Sequence, residues 1–226
     1  MRARALLAAS LLACTAAGAH DAPPVARGEP APALPAPGSY ELPPITHVPE
    51  ATLLDETGAP APLLALAPGQ VAVVSFVYTH CADAGGCPRA LATLQRLDRA
   101  VAADPELEGR VRLVTVSFDP ARDTPAVMRA LRERLHPAGD WRFRTAADER
   151  AIAAVLAAFG QDARPLVDPR GRASGVVRHL LKVFLVDGRG AVRNIYGAGF
   201  LSAELLAVDA RTVLLEGRRA AAGAVP

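Results

Sequence analysis

Two runs dominated by β-branched, apolar and aromatic residues constrain this chain more than any other feature. Val71 to Tyr78 reads Val-Ala-Val-Val-Ser-Phe-Val-Tyr, and Val111 to Phe118 reads Val-Arg-Leu-Val-Thr-Val-Ser-Phe. Neither shows the strict polar alternation of a half-solvated strand, so each reads as a strand buried on both faces. Such strands need cover on both sides, and the segments around them have helical spacing. Pro88 opens a stretch with Leu91, Leu94, Leu97 and Val101 one to two turns apart. Thr124-Pro125 reads as an N-cap with proline in the first turn, followed by Val127, Leu131 and Leu135. Thr145 is expected to cap a third helix in which Ile152, Val155, Leu156 and Phe159 face inward and which Gly160 ends.

Leu180 to Val186 and Ala191 to Tyr196 form a predicted hairpin turning at Asp187-Gly188-Arg189-Gly190. Ser202 is placed to cap a last helix reaching about Glu216. Trp141 and Phe143 alternate as a short strand demands and belong to the core. Helices alternating with buried strands, then a hairpin and a closing helix, predict an α/β domain of three layers, α/β/α, with a mixed central sheet. The order suits a thioredoxin-like fold.

The N-terminal part reads as an address and a spacer. Arg2 and Arg4 precede the apolar run Ala5 to Ala13, so residues 1–19 are expected to be a signal peptide. Two cleavage readings compete: Leu11-Leu12-Ala13-Cys14 resembles a lipobox, and Ala17-Gly18-Ala19 fits secretory cleavage after Ala19. Under either, the protein is exported and Cys14 is no free thiol of the mature domain. Its place is the periplasmic face of a bacterial membrane, lipid-anchored or soluble. Residues 20–49 contain nine prolines and no apolar periodicity, the composition of a tether. The folded domain is expected over 50–217, with a flexible tail over 218–226. No apolar stretch is long enough for a spanning helix. The net charge of +2 falls to about zero once Arg2 and Arg4 are removed, so no basic groove for nucleic acid is expected.

Beyond the signal, Cys81 and Cys87 are the cysteines of the chain, with Ala82-Asp83-Ala84-Gly85-Gly86 between them. They lie between a buried strand and a helix start, where unpaired N–H groups and the helix dipole favour thiolate. Thiolate is both the nucleophile of disulfide exchange and a soft ligand for Cu(I). A structural disulfide is the plain alternative in an exported protein. Cys81, beside His80, suits the attacking role; Cys87, at the helix start, is expected to have the lower pKa; the spacing chooses neither. His20, His47 and His136 read as solvated. His80 abuts Cys81, but strand neighbours point apart. His179 precedes a buried strand and, on its residue context alone, is a satisfied polar side chain. Asp119 and Asp123 read as turn and helix-cap residues rather than an acid–base pair.

Three motifs carry a family resemblance. Tyr78-Thr79-His80-Cys81-Ala82-Asp83 with Cys87-Pro88, then Ser117-Phe118-Asp119-Pro120-Ala121-Arg122-Asp123-Thr124-Pro125, then Arg178-His179 before Leu181-Lys182-Val183-Phe184-Leu185-Val186-Asp187, resemble in order the signatures of the Sco/SenC family. The likeness runs from about Thr46 to Glu216. It implies a thioredoxin-like, exported, membrane-anchored protein that binds copper through Cys81, Cys87 and His179. It further implies a role in metallating a respiratory copper protein, an oxidase subunit such as that of cytochrome c oxidase. Two departures stand out: the family usually has three residues between its cysteines where this chain has five, and the aspartate common before the ligand histidine is Arg178 here. The alternatives are a thiol–disulfide oxidoreductase using Cys81 and Cys87, a binding module with an inert disulfide, and a peroxiredoxin-like peroxidase. The last typically sets threonine three residues before its cysteine, where this chain has Tyr78.

Overall fold

The apolar runs become adjacent strands at the centre of the sheet, as their composition requires. In the computed structural model, which describes residues 33–81 and 83–223, the elements run β1 (Thr46–His47), β2 (Thr52–Leu54), β3 (Pro60–Pro62), β4 (Val71–Val77), α1 (Cys87–Ala102), β5 (Val111–Ser117), α2 (Pro125–Leu135), β6 (Trp141–Arg144), α3 (Glu149–Ala158), β7 (Ala163–Val167), β8 (Ala173–His179), β9 (Lys182–Asp187), β10 (Ala191–Gly197) and α4 (Ala203–Gly223). The expected signal segment, its two cleavage readings with Cys14, and His20 lie outside the described residues.

The sheet order is β1-β10-β9-β4-β5-β6. β4 pairs β5 in parallel from Val71↔Val111 to Val77↔Ser117, and β6 continues the parallel set. β9 joins β4 antiparallel, with Ser75 opposite Val183, and β10 and β1 follow antiparallel. The sheet is mixed, as the sequence predicted.

Alternation along the strands divides the core between two faces. Val71, Val73, Val111 and Leu113 pack with Leu94 and Leu97 of α1, Met128 of α2 and Leu206 of α4. Their neighbours Ala72, Val74, Val114 and Val116 pack with Ile152 and Val155 of α3 and with Leu53 and Leu63. That is the α/β/α sandwich of a thioredoxin-like fold. On the α3 side Phe76, Phe159 and Phe184 meet edge to face, with centroids 5.0–5.9 Å apart, a geometry that adds to the area each ring buries. Trp141 and Phe143 are buried on β6, and the indole N–H donates to Thr115 Oγ1 at 2.9 Å.

Several local expectations change. α3 is capped by Asp148, whose side chain accepts from Ala151 N, whereas Thr145 is buried and its backbone bridges to Leu54. α4 begins after Ser202, whose hydroxyl accepts from Leu205 N, but passes Gly217 and runs to Gly223, so most of the expected tail is helix. The tether does not extend to Pro49. Gly38 N donates to Thr212 Oγ1, Leu42 N to Glu216 Oε1 and Ile45 N to Val192 O, and Val48 is buried. The prolines there leave enough donors free for the segment to be fastened to β10 and α4. Composition gave no sign of the short hairpins β2–β3 and β7–β8.

Candidate functional site

β4 ends at Val77, and the chain needs a loop before Pro88 can start a helix. Tyr78 to Gly86 provides it, with Cys87 as the first residue of α1. This puts Cys81 on the loop and Cys87 at the helix start, as the sequence suggested. The two thiols differ sharply in setting. Cys87 is 1% exposed and packs in the α3-side core, while Cys81 is half-buried. Both are free thiols. The Cys81 thiol reaches Asp83 O at 3.8 Å and also interacts with the Tyr78 hydroxyl and with Cys87.

Burial pushes the Cys87 thiol up to about 12, and the nearby Cys81 acts in the same direction. This overturns the expectation that the helix start would lower it: loss of hydration outweighs the favourable helix end when the sulfur is sealed from solvent. Burial also raises the Tyr78 hydroxyl, with the Cys81 hydrogen bond adding to it.

His179 arrives from far along the chain on the hairpin the sequence did not reveal. It ends β8, opposite Ala163 of β7, rather than leading directly into the buried strand β9. The turn signal was present: in Asp168-Pro169-Arg170-Gly171 the Asp168 carboxylate accepts from Arg170 N and Arg172 N, and Gly171 has φ +76°. The flanking strands carry no apolar alternation, because this two-stranded sheet stands apart from the central one. Gln161 Nε2 fastens its exit by donating to Leu180 O at 2.8 Å.

The imidazole is held on several sides. Its ring meets Tyr78 at 5.8 Å, edge-on, and Phe118 at 4.9 Å. Nδ1 lies 3.2 Å from Val177 O, and Nε2 lies 3.8 Å from Cys87 Sγ. A carbonyl only accepts, so Nδ1 carries the proton. In the neutral ring Nε2 then turns its lone pair to the sulfur, the arrangement in which metal-binding histidines are commonly held.

Cys81 is the less fixed member. Among the described residues no three His, Cys, Asp or Glu side chains are gathered closely enough to cage an ion as they stand. His80 does not follow strand alternation, because it lies beyond β4; its Nδ1 is 3.1 Å from Thr79 Oγ1. Arg178 is exposed, as are His47 and His136. Asp123 is fully buried and is not the cap of α2, a position held by Thr124. Asp119 pairs with Arg122 at 2.9 Å. A cleft of about 1130 Å³ opens between Gly69, Arg110, Asp187 and Arg218, and it contains none of Cys81, Cys87 or His179.

The sequence profile of the SCO1/SenC family matches residues 46–214. No curated protein matches at a significant level. Among solved structures, ScoI of Bradyrhizobium japonicum with copper bound is 22% identical, covering 73% of this chain and 98% of its own, with a TM-score of 0.57. A SCO1/SenC family lipoprotein of Bacillus anthracis is 21% identical, covering 79% and 97%, with a TM-score of 0.59. BsSco, described with a disulfide switch and as a member of the Sco family of cytochrome c oxidase assembly proteins, is 22% identical, covering 76% and 96%, with a TM-score of 0.60.

Proposed function

The chain belongs to the SCO1/SenC family, and from that membership we propose that it is an exported metallochaperone. In this reading it binds copper through Cys81, Cys87 and His179 and assists metallation of a respiratory copper protein such as cytochrome c oxidase. Copper is its cargo. The observation that carries the reading is the 3.8 Å between His179 Nε2 and Cys87 Sγ, with Nδ1 occupied by a carbonyl. Metal–thiolate and metal–imidazole bonds of about 2.3 and 2.0 Å, opened to about 120°, span about 3.7 Å. Two soft sulfurs and an imidazole suit Cu(I). Cys87 and His179 form the fixed half of the site, and the half-buried Cys81 supplies the donor that can swing towards solvent. Transfer then proceeds by ligand exchange, with an incoming thiolate of the recipient replacing Cys81 first. Copper-bound ScoI and the oxidase-assembly protein BsSco, on the same fold, support this reading.

Residues 1–19 direct export in this proposal, and Cys14 carries a lipid that holds the domain to the membrane, as the related lipoprotein suggests. Among the described residues no helix is long and apolar enough to cross a membrane. Anaerobic Cu(I) titration tests the metal assignment. The wild type is expected to take up one equivalent, while Cys81→Ser, Cys87→Ser and His179→Ala each lose most of the affinity. Full affinity in Cys81→Ser contradicts the assignment.

The asymmetry of the thiols favours a second reading, a thiol–disulfide oxidoreductase that keeps a recipient's ligand cysteines reduced. The Cys81 thiolate would attack the recipient's disulfide and expel one thiolate. Cys87 would then give up its proton and attack the Cys81 sulfur, expelling the second and leaving a Cys81–Cys87 disulfide that an external dithiol resets. The reduction potential of the pair tests this: a value as low as those of structural disulfides counts against turnover.

A further inference from the structure

We propose that the buried carboxylate of Asp123 is the positioning residue that sets how far Cys81 stands from Cys87. Asp123 is fully buried, and no Lys or Arg within the salt-bridge distance pairs with it among the described residues; the nearest cation-capable group is the exposed His80, with Nδ1 3.9 Å away. A carboxylate in such a place needs strong donors. It has three. Oδ2 accepts from Thr79 N at 3.0 Å and from Ser117 Oγ at 2.6 Å, and Oδ1 accepts from the Thr79 hydroxyl.

The arrangement of those donors is informative. Ser117 is the last residue of β5, part of the rigid sheet, whereas two of the three donors belong to Thr79, two residues before Cys81. Cys81 N in turn donates to Tyr78 O at 3.3 Å, so residues 78–81 form one turn whose middle is bolted to the sheet. On the other side of Cys81 the loop is softer. There the Asp83 side chain closes a local turn by accepting from Gly85 N at 2.9 Å, and two glycines lead into α1. Cys87 and His179 are held by the core, so the separation of the two sulfurs is governed by the Asp123 anchor. The hydroxyl that donates to Asp123 must accept from its other neighbour, His80 Nδ1 at 3.1 Å, which fixes that ring in the same network.

The inference deepens the copper-binding reading and rests on it for the identity of the ligands, but its test has a readout that needs no metal. The variants are Asp123→Asn, which keeps the shape of the side chain, and Thr79→Val, which keeps the carboxylate and the Thr79 N–H and removes only the hydroxyl. In the metal-free protein, the equilibrium of the Cys81–Cys87 dithiol with glutathione measures the effective concentration of one sulfur at the other. Both variants are expected to lower it about tenfold. Anaerobic Cu(I) competition with a chelator is expected to show affinity about tenfold weaker at unchanged stoichiometry, in the range produced by loss of an outer-shell partner. Thermal unfolding of each variant runs alongside. A lower Tm with unchanged glutathione equilibrium and unchanged copper affinity makes Asp123 purely structural and overturns the proposal. If Asp123→Asn fails to fold, Thr79→Val decides by the same criteria. If the wild type takes up no Cu(I), the copper reading falls, while the glutathione equilibrium still decides the role of Asp123.

Discussion

The Cys87 sulfur and the His179 Nε2 lie 3.8 Å apart although 92 positions separate them in the chain. The first is carried by the start of a helix and the second by the end of a detached hairpin. Nothing local to either residue dictates the meeting; it follows from the fold bringing the start of α1 and the end of β8 together. The hydrogen bond from Nδ1 to Val177 O sets which nitrogen faces the sulfur, so the pair is preorganised rather than assembled on demand.

Replacing His179 by Ala therefore removes a donor whose orientation the fold has already determined. Cu(I) affinity is expected to fall by more than about a hundredfold, exceeding the loss typical of outer-shell partners. Because His179 is a half-buried strand-end residue, the Tm is expected to change by only a few degrees. Chelator competition and calorimetry on the same preparation check both halves.

The thiols should differ in reactivity by a wide margin. With burial pushing its pKa up to about 12, Cys87 is almost wholly protonated at pH 8, and its sulfur is also sealed from solvent. Iodoacetamide is expected to label Cys81 first, and a Cys81→Ala variant to remain nearly unlabelled until it unfolds. Mass spectrometry of timed quenches reads this directly; equal labelling of the two would refute the burial argument.

The same shift fixes a pH dependence. The folded chain holds the Cys87 proton more tightly than the unfolded chain, whose thiol titrates near 9. Below pH 9 both states are protonated and the thiol adds no slope. As pH rises from about 9 towards 12 the unfolded state loses its proton first, so stability falls. The raised Tyr78 hydroxyl acts with the same sign. Urea midpoints at pH 8, 9.5 and 10.5 should decline for the metal-free protein, and less steeply for Cys87→Ala.

Much of this was legible from periodicity. Val71–Val77 and Val111–Ser117 show no strict polar alternation because both faces are covered, and that alone implied helices on either side. The Asp187–Gly190 turn and Ser202 announced the C-terminal hairpin and α4. Elements that bury little left no such trace. β7–β8 lies off the central sheet, with Val167 63% exposed, so the hairpin that brings His179 to Cys87 was invisible to a hydrophobic pattern. The Cys87 pKa eludes the sequence for a related reason: the helix start is a local feature readable in sequence, whereas the desolvation that overrides it comes from a core cluster whose members, Phe118 and Phe159 among them, are distant in the chain. The Asp123 anchor was mistaken for a helix cap because its partners, Thr79 and Ser117, belong to two other segments.

The segment read as a tether should owe part of its attachment to Asp209. This buried carboxylate accepts from the hydroxyls of Tyr40 and Tyr196 and from Asn194 Nδ2, joining the N-terminal segment to β10 and α4. Asp209→Ala leaves three donors without their acceptor and is expected to cost about 3 kcal/mol. Limited proteolysis should then cut near residues 38–45 before the domain itself is digested, a pattern absent from the wild type.

Asp83 offers a converse case, in which function changes and stability does not. Its carboxylate is exposed and accepts from Gly85 N, while Gly86 N donates to its backbone carbonyl. Together these contacts shorten the path of the five residues between the cysteines. Asp83→Ala removes the side-chain half of the turn at a solvated position, so the unfolding free energy is expected to stay within about 0.5 kcal/mol of the wild type. The loop nevertheless gains conformations that must be given up when Cys81 joins Cys87 on one ion. Cu(I) affinity is therefore expected to drop about threefold to tenfold, through faster release rather than slower uptake. Stopped-flow transfer to a Cu(I) chelator, with urea unfolding as the control, tests the pairing: a destabilised variant that keeps its copper would reverse the argument.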